Sequence, residues 1–159
     1  MRGWAGRMGY RLMASANLMF GIVPATFLLF WIVFFMLAAL VSLPSALMSL
    51  PDHKNITIAL WKGTELFLAG TAAVIGYAAL RSAVKGVKTP RVLFGLVLGI
   101  AANLYAIHMI LDLNPNAMRD WVDWYWGGSP IVVASAHVAT YFVRALRDRV
   151  RKPAAGGTS

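Results

Sequence analysis

The chain has 159 residues, of which 59% are apolar and only 13% are charged, and its mean hydropathy is +0.65. Soluble domains carry roughly 25% charged residues, so the composition excludes an ordinary soluble domain and predicts an all-α integral membrane protein. The net charge of +9 does not indicate nucleic-acid binding, because the basic residues stand at the ends of apolar runs. The lack of cysteine excludes disulfides, thiol catalysis, zinc–thiolate sites and iron–sulfur ligation.

The first apolar run, residues 12–51, is too long for one straight span. About forty helical residues would reach ~60 Å, twice the ~30 Å hydrocarbon core. We place the first span at residues 18–43 and residues 8–17 at the inner interface, with Pro24 allowing a kink. Arg2, Arg7 and Arg11 precede the run, as in a signal peptide, but an apolar signal region has only ~7–15 residues. We therefore expect an uncleaved span.

The second span is predicted at residues 56–80 and the third at residues 92–113, with a short basic connection between them. Small residues line one side of the second span, and the third span contains a GxxxG pair. Small residues let helices approach closely in lipid. The predicted packing residues are Ala69, Ala72, Gly76, Gly95 and Gly99.

An aromatic cluster follows the third span and predicts a short interfacial helix, because aromatic rings favour the headgroup layer. The expected anchors are Trp121, Trp124, Tyr125 and Trp126. The fourth span is predicted at residues 129–147, with Ser129 as N-cap and Pro130 in the first helical position. The basic residues after it predict contact with lipid headgroups: Arg144, Arg147, Arg149, Arg151 and Lys152. Residues 153–159 are expected to be disordered.

The distribution of basic residues predicts the orientation of this four-helix bundle. Of the 15 lysines and arginines, all except Lys54, Lys62 and Arg119 fall near the N-terminus, in the second connection or near the C-terminus. Basic segments remain on the cytoplasmic side of a membrane. Both termini are therefore predicted to be cytoplasmic, and the protein is expected in the cell inner membrane as a multi-pass protein.

Four ionisable side chains interrupt the predicted spans in their outer halves: Glu65, His108, Asp112 and His137. His108 and Asp112 are i, i+4 neighbours on one helix and can pair. If the fourth span begins at the outer surface, His137 lies at a depth similar to that of His108. Ionisable groups inside a span cost roughly 2–4 kcal/mol and are candidates for function.

These residues leave four functional hypotheses open. In the first, they satisfy one another, and the protein is a non-enzymatic subunit or scaffold that binds lipid and other membrane proteins or a second copy. In the second, His108 and His137 are the axial ligands of haem b. In the third, the four side chains bind zinc or iron, or His108 acts as a catalytic base oriented by Asp112. In the fourth, Glu65 carries protons or a solute across the membrane. The first hypothesis is the one we favour.

Overall fold

The computed structural model describes residues 2–49, 53–116 and 118–151, and every regular element within these ranges is helical. The first helix changes its hydrogen-bonding register at a π-helical turn, which divides it into two α-helical parts. The elements are α1 (Arg2–Asn17), the π turn (Leu18–Ile22), α2 (Val23–Ser49), α3 (His53–Val84), α4 (Pro90–Leu113), α5 (Trp121–Gly127) and α6 (Ser129–Arg151). The predicted tail at 153–159 and Lys152 lie outside the described residues.

Four helical stretches are long and apolar enough to cross a membrane. They are Met8–Ser45, Ile56–Val84, Pro90–Asp112 and Ser129–Val150. The prediction of an all-helical chain with four apolar helices is therefore confirmed for the described residues, and it indicates a membrane protein. The short α5 lies between the last two stretches, where the sequence predicts a short helix.

The contact between α3 and α4 is the most extensive between any two helices. Gly76 of α3 lies against Gly99 of α4, and a Cβ atom added to Gly99 would lie 2.8 Å from the Gly76 Cα. A Cβ atom added to Gly95 would lie 2.6 Å from the Cβ of Ala79. Real Cβ atoms do not approach other atoms so closely, so the glycines allow the two backbones to meet.

The buried core occupies one half of the bundle. There, the start of α2 meets the second half of α3, the first half of α4 and α6. Ala69 and Ala72, which the sequence predicts as packing residues, are half-buried, whereas the neighbouring Ala73 is buried. The buried apolar residues of the core are Ala25, Ala79, Leu80, Ala83, Leu96 and Ala134.

The connection between α3 and α4 lies beside the second half of α6. Lys88 in this connection, Val92 at the start of α4 and Tyr141 of α6 line one small cavity. We call this the basic end of the bundle, and we call the end where α3 begins and α4 finishes the distal end. The basic end carries Arg81, Lys85, Lys88, Arg91, Arg144, Arg147 and Arg149, all exposed.

α6 begins beside the middle of α4 and not level with its distal end. Pro130 and Ala134 line a cavity to which Gly99 and Asn103 of α4 also contribute. Asn103 and Gly99 lie ten and fourteen residues before the end of α4 at Leu113, which corresponds to ~15–21 Å at ~1.5 Å per residue. α6 therefore runs from the middle of the bundle to the basic end.

The short helix α5 packs against the first half of α2. The rings of Trp126 and Phe27 lie with their centroids 4.5 Å apart. Only Gly128 separates α5 from α6. Because the chain is already helical when it reaches Ser129, that hydroxyl donates back to the Tyr125 carbonyl and does not serve as the predicted N-cap. The folding back of this segment explains the mid-bundle start of α6.

The π turn in the first helix is explained by Pro24. Within this turn the Val23 N–H donates to the Leu18 carbonyl, one residue further back than in an α-helix. The Met19 carbonyl thereby loses Val23 as donor, and the next donor in the π register would be residue 24, a proline without N–H. The Tyr125 hydroxyl donates to the Met19 carbonyl at 2.6 Å instead.

Candidate functional site

Glu65 of α3 is held by two hydrogen-bond donors near the distal end. The Lys62 Nζ lies 3.0 Å from its Oε2, and the Tyr105 hydroxyl of α4 donates to the same oxygen at 3.2 Å. The Lys62 side chain is 61% exposed, while that of Glu65 is 29% exposed. Glu65 thus has a cation and a hydroxyl as hydrogen-bond partners. A carboxylate bonded to two side chains is the arrangement of a structural group, so the geometry does not favour the carrier hypothesis.

His108 and Asp112 form an exposed pair one turn before the end of α4. The His108 Nε2 lies 3.5 Å from the Asp112 Oδ2, as the i, i+4 spacing predicts. The two side chains are 68% and 63% exposed. An acid–base site needs walls that exclude water and hold a substrate. This pair stands on an open surface, and no such walls surround it among the described residues.

The pair belongs to an exposed stripe along α4. Its members Phe94, Val97, Ala101, Leu104 and His108 are separated alternately by three and four residues, and all are exposed. This is the spacing at which one helix packs along another. The stripe lies apart from the glycine surface that contacts α3, so α4 has a packed side and an open side.

His137 lies in the other half of the molecule, at the basic end. Its Nε2 atom is buried and has no hydrogen-bond partner among the described residues. The side chain lines a cavity of about 30 Å³ together with Lys88, Thr89 and Tyr141, among others. That volume corresponds to roughly one water molecule. A single bridging water would satisfy the imidazole, and a larger ligand does not fit.

The structure does not bring His108 and His137 together. His137 lies beside Val92, Leu93 and Leu96 of α4, and the rise from Leu96 to His108 is ~18 Å. The expected common depth is wrong because α6 starts in the middle of the bundle, which moves His137 towards the basic end. Two axial imidazoles must bind the same iron, so these histidines do not fit a haem within one chain.

The metal-site hypothesis requires all four ionisable residues to meet, and the structure brings only some of them into the same half of the bundle. Glu65 and the pair of His108 and Asp112 all lie in the distal half, but each is bonded to its own neighbours. Within residues 2–49, 53–116 and 118–151, no three histidine, aspartate or glutamate side chains are grouped so as to hold a metal ion. The zinc or iron hypothesis therefore has no geometric support.

The aromatic cluster divides into two pairs. Trp121 and Trp124 are 78% and 54% exposed. Tyr125 and Trp126 point the other way and contact the π turn and Phe27. Whether α5 lies in a membrane interface stays a prediction, as does headgroup binding by the basic residues of α6.

Three tyrosines complete these arrangements, and their hydrogen-bonding roles were not predicted, although Tyr125 was expected as an interface anchor. Tyr105 bonds Glu65, Tyr125 bonds the π turn, and Tyr77 lies with its hydroxyl 3.1 Å from the Thr26 Oγ1. The sequence does indicate that a donor is needed where Tyr125 binds, because Pro24 has no N–H and leaves a carbonyl without a donor inside an apolar run. For Tyr105 the signal was Glu65 itself, because a carboxylate in a predicted span requires a donor from a neighbouring helix.

Comparisons of the chain with protein-family models, with curated proteins and with solved structures found no match.

Proposed function

We propose that this chain is a non-enzymatic, multi-pass protein of the cell inner membrane that serves as a subunit or scaffold of a membrane assembly. The supporting observation is the exposed pair of His108 and Asp112 on the open side of α4. Polar side chains on an apolar helix are stabilised when protein covers them, and they then contribute interhelical hydrogen bonds.

The open side of α4 suits a protein partner better than the exposed side of α2 does. α2 exposes bulky apolar residues such as Phe30, Phe34 and Phe35, which are compatible with lipid. The stripe on α4 instead contains a small residue, Ala101, and ends in a histidine. A small residue permits close approach, and one polar group among apolar positions defines the register of a helix pair.

Crosslinking from the stripe tests this proposal. A photoreactive amino acid at Leu104 is expected to give a discrete protein adduct in native membranes, whereas the same probe at Phe35 of α2 should label lipid. The mass of the adduct distinguishes a second copy from another subunit. Replacing both His108 and Asp112 with leucine should reduce the Leu104 adduct by about tenfold, the factor for a contact of ordinary strength. Labelling of lipid alone from Leu104, or recovery of the native protein as a lone monomer, would contradict the proposal.

The proposed orientation places the basic end and both termini in the cytoplasm. The exposed cations of the α3–α4 connection and of α6 lie at the same end of the bundle, which supports this orientation. The protein contains no cysteine, so single cysteines can be labelled without background. In intact cells, Asn116→Cys should react with an impermeant maleimide, and Ser159→Cys should react only after permeabilisation. The reverse pattern would show that the orientation is inverted.

A further inference from the structure

A groove opens between the second half of α2 and the first half of α3, with α4 as its floor. Its volume is about 510 Å³, within the ~300–1,000 Å³ range of small-molecule sites. The walls are mainly apolar: Leu37 and Leu40 come from α2, and Leu60 and Phe67 come from α3, while Ser42, Lys62 and Thr64 add polar groups. The floor contains Tyr105, whose hydroxyl binds Glu65. The groove is thus an apolar slot with a polar group at its base.

The groove exists because α2 and α3 touch at one level and separate beyond it. A Cβ atom added to Gly70 would lie 2.8 Å from the Met36 Sδ, so the helices are in close contact there. Towards the distal end the facing residues include Ala39 and Gly63, which are too small to fill the space. A Cβ atom added to Gly63 would meet nothing within 4 Å. The opening is therefore a consequence of small residues in both walls.

Lys62 supplies a cation at this groove. Its ammonium has three N–H donors, and the bond to Glu65 uses one of them. Tyr105 donates to the same carboxylate, so Glu65 does not depend on Lys62 alone. The Lys62 side chain is 61% exposed and can extend towards the distal end. Two ammonium donors are thus left for an anion at the groove.

We propose that the groove binds one acyl chain of a membrane phospholipid and that Lys62 binds the phosphate of the same molecule. The helices on both sides of the groove are apolar enough to lie in hydrocarbon, so a lipid chain is the apolar group at hand. Lysine forms charge-assisted hydrogen bonds with phosphate, and a lysine near the end of a membrane helix can extend its ammonium to the headgroup layer. The proposal requires membrane insertion but does not depend on what covers α4.

Native mass spectrometry of the detergent-purified protein tests the assignment, with dipalmitoyl phosphatidylglycerol as the added probe. One phospholipid per chain is expected to remain bound. Gly63→Trp should fill the groove and abolish retention. Gly9→Trp, at a helical glycine where a Cβ likewise meets nothing within 4 Å, should retain the lipid. Lys62→Gln should weaken retention about tenfold, and Lys62→Arg should preserve it.

Each contrary result overturns a defined part of the assignment. Equal retention by Gly63→Trp and the parent protein would mean that the lipid binds elsewhere. Loss with Gly63→Trp but no change with Lys62→Gln would mean that the occupant is apolar and has no phosphate contact. Unfolded variants are recognised by tryptophan-fluorescence melting and are compared at equal folded fraction. Because the crosslinking test probes α4, a failure here leaves the proposed role as a subunit unaffected.

Discussion

Replacing Gly76 with alanine is expected to force α3 and α4 apart and to lower the free energy of unfolding by about 1–3 kcal/mol, the usual cost of overpacking. The added Cβ would overlap the Cα of Gly99, which is backbone and cannot rotate away. The loss should be visible as a lower melting temperature in detergent, followed by intrinsic tryptophan fluorescence. Gly76→Leu should prevent recovery of folded protein.

The matched control is Gly63→Ala in the same helix. Apart from the local backbone of α3, no atom lies within 4 Å of the Cβ that this change adds. Alanine is more favourable than glycine in a helix by up to ~1 kcal/mol. Gly63→Ala should therefore be neutral or slightly stabilising. If Gly76→Ala and Gly63→Ala melt at the same temperature, the contact between the two glycine surfaces is not a determinant of stability.

The fold is predictable from sequence to the extent that it depends on local apolar length and small-residue spacing. Four apolar runs of sufficient length imply four helices, because in lipid every backbone group must be bonded within its own segment. The GxxxG pair at Gly95 and Gly99 indicates a close approach, and the structure places Gly76 opposite Gly99. These inferences need no knowledge of how the helices are arranged.

The position along the bundle axis at which each helix begins could not be predicted from local sequence patterns. The sequence interpretation assumes that α6 begins at a membrane surface, but its start depends on how the preceding segment folds. α5 packs on α2 through Trp126, and this tertiary contact brings Pro130 beside the middle of α4. The position of His137 follows from that contact. Local spacing predicts His108 next to Asp112 correctly, since both lie on one helix.

Replacing Tyr125 with phenylalanine is expected to destabilise the protein by about 1–3 kcal/mol, because it leaves the Met19 carbonyl without a donor. In the parent protein, the Tyr125 hydroxyl lies 2.6 Å from that oxygen. The phenylalanine retains the ring that packs edge-on against Phe20. The loss of stability therefore measures the hydrogen bond and not the ring packing. Melting in detergent, with chemical denaturation as a second measurement, gives the difference.

The destabilisation caused by Tyr125→Phe should be smaller when residue 24 carries an N–H. In Pro24→Ala, the backbone can donate to Met19 in the π register, or the segment can return to an α-helix in which Val23 donates to Met19. The Tyr125→Phe change made in that background should therefore cost less than in the parent, and the double-mutant cycle should give a coupling energy of about 0.5–3 kcal/mol. Pro24 is fully buried, so the alanine also leaves a small cavity, but this contribution cancels in the cycle. Additive effects would show that Tyr125 does not compensate for the proline.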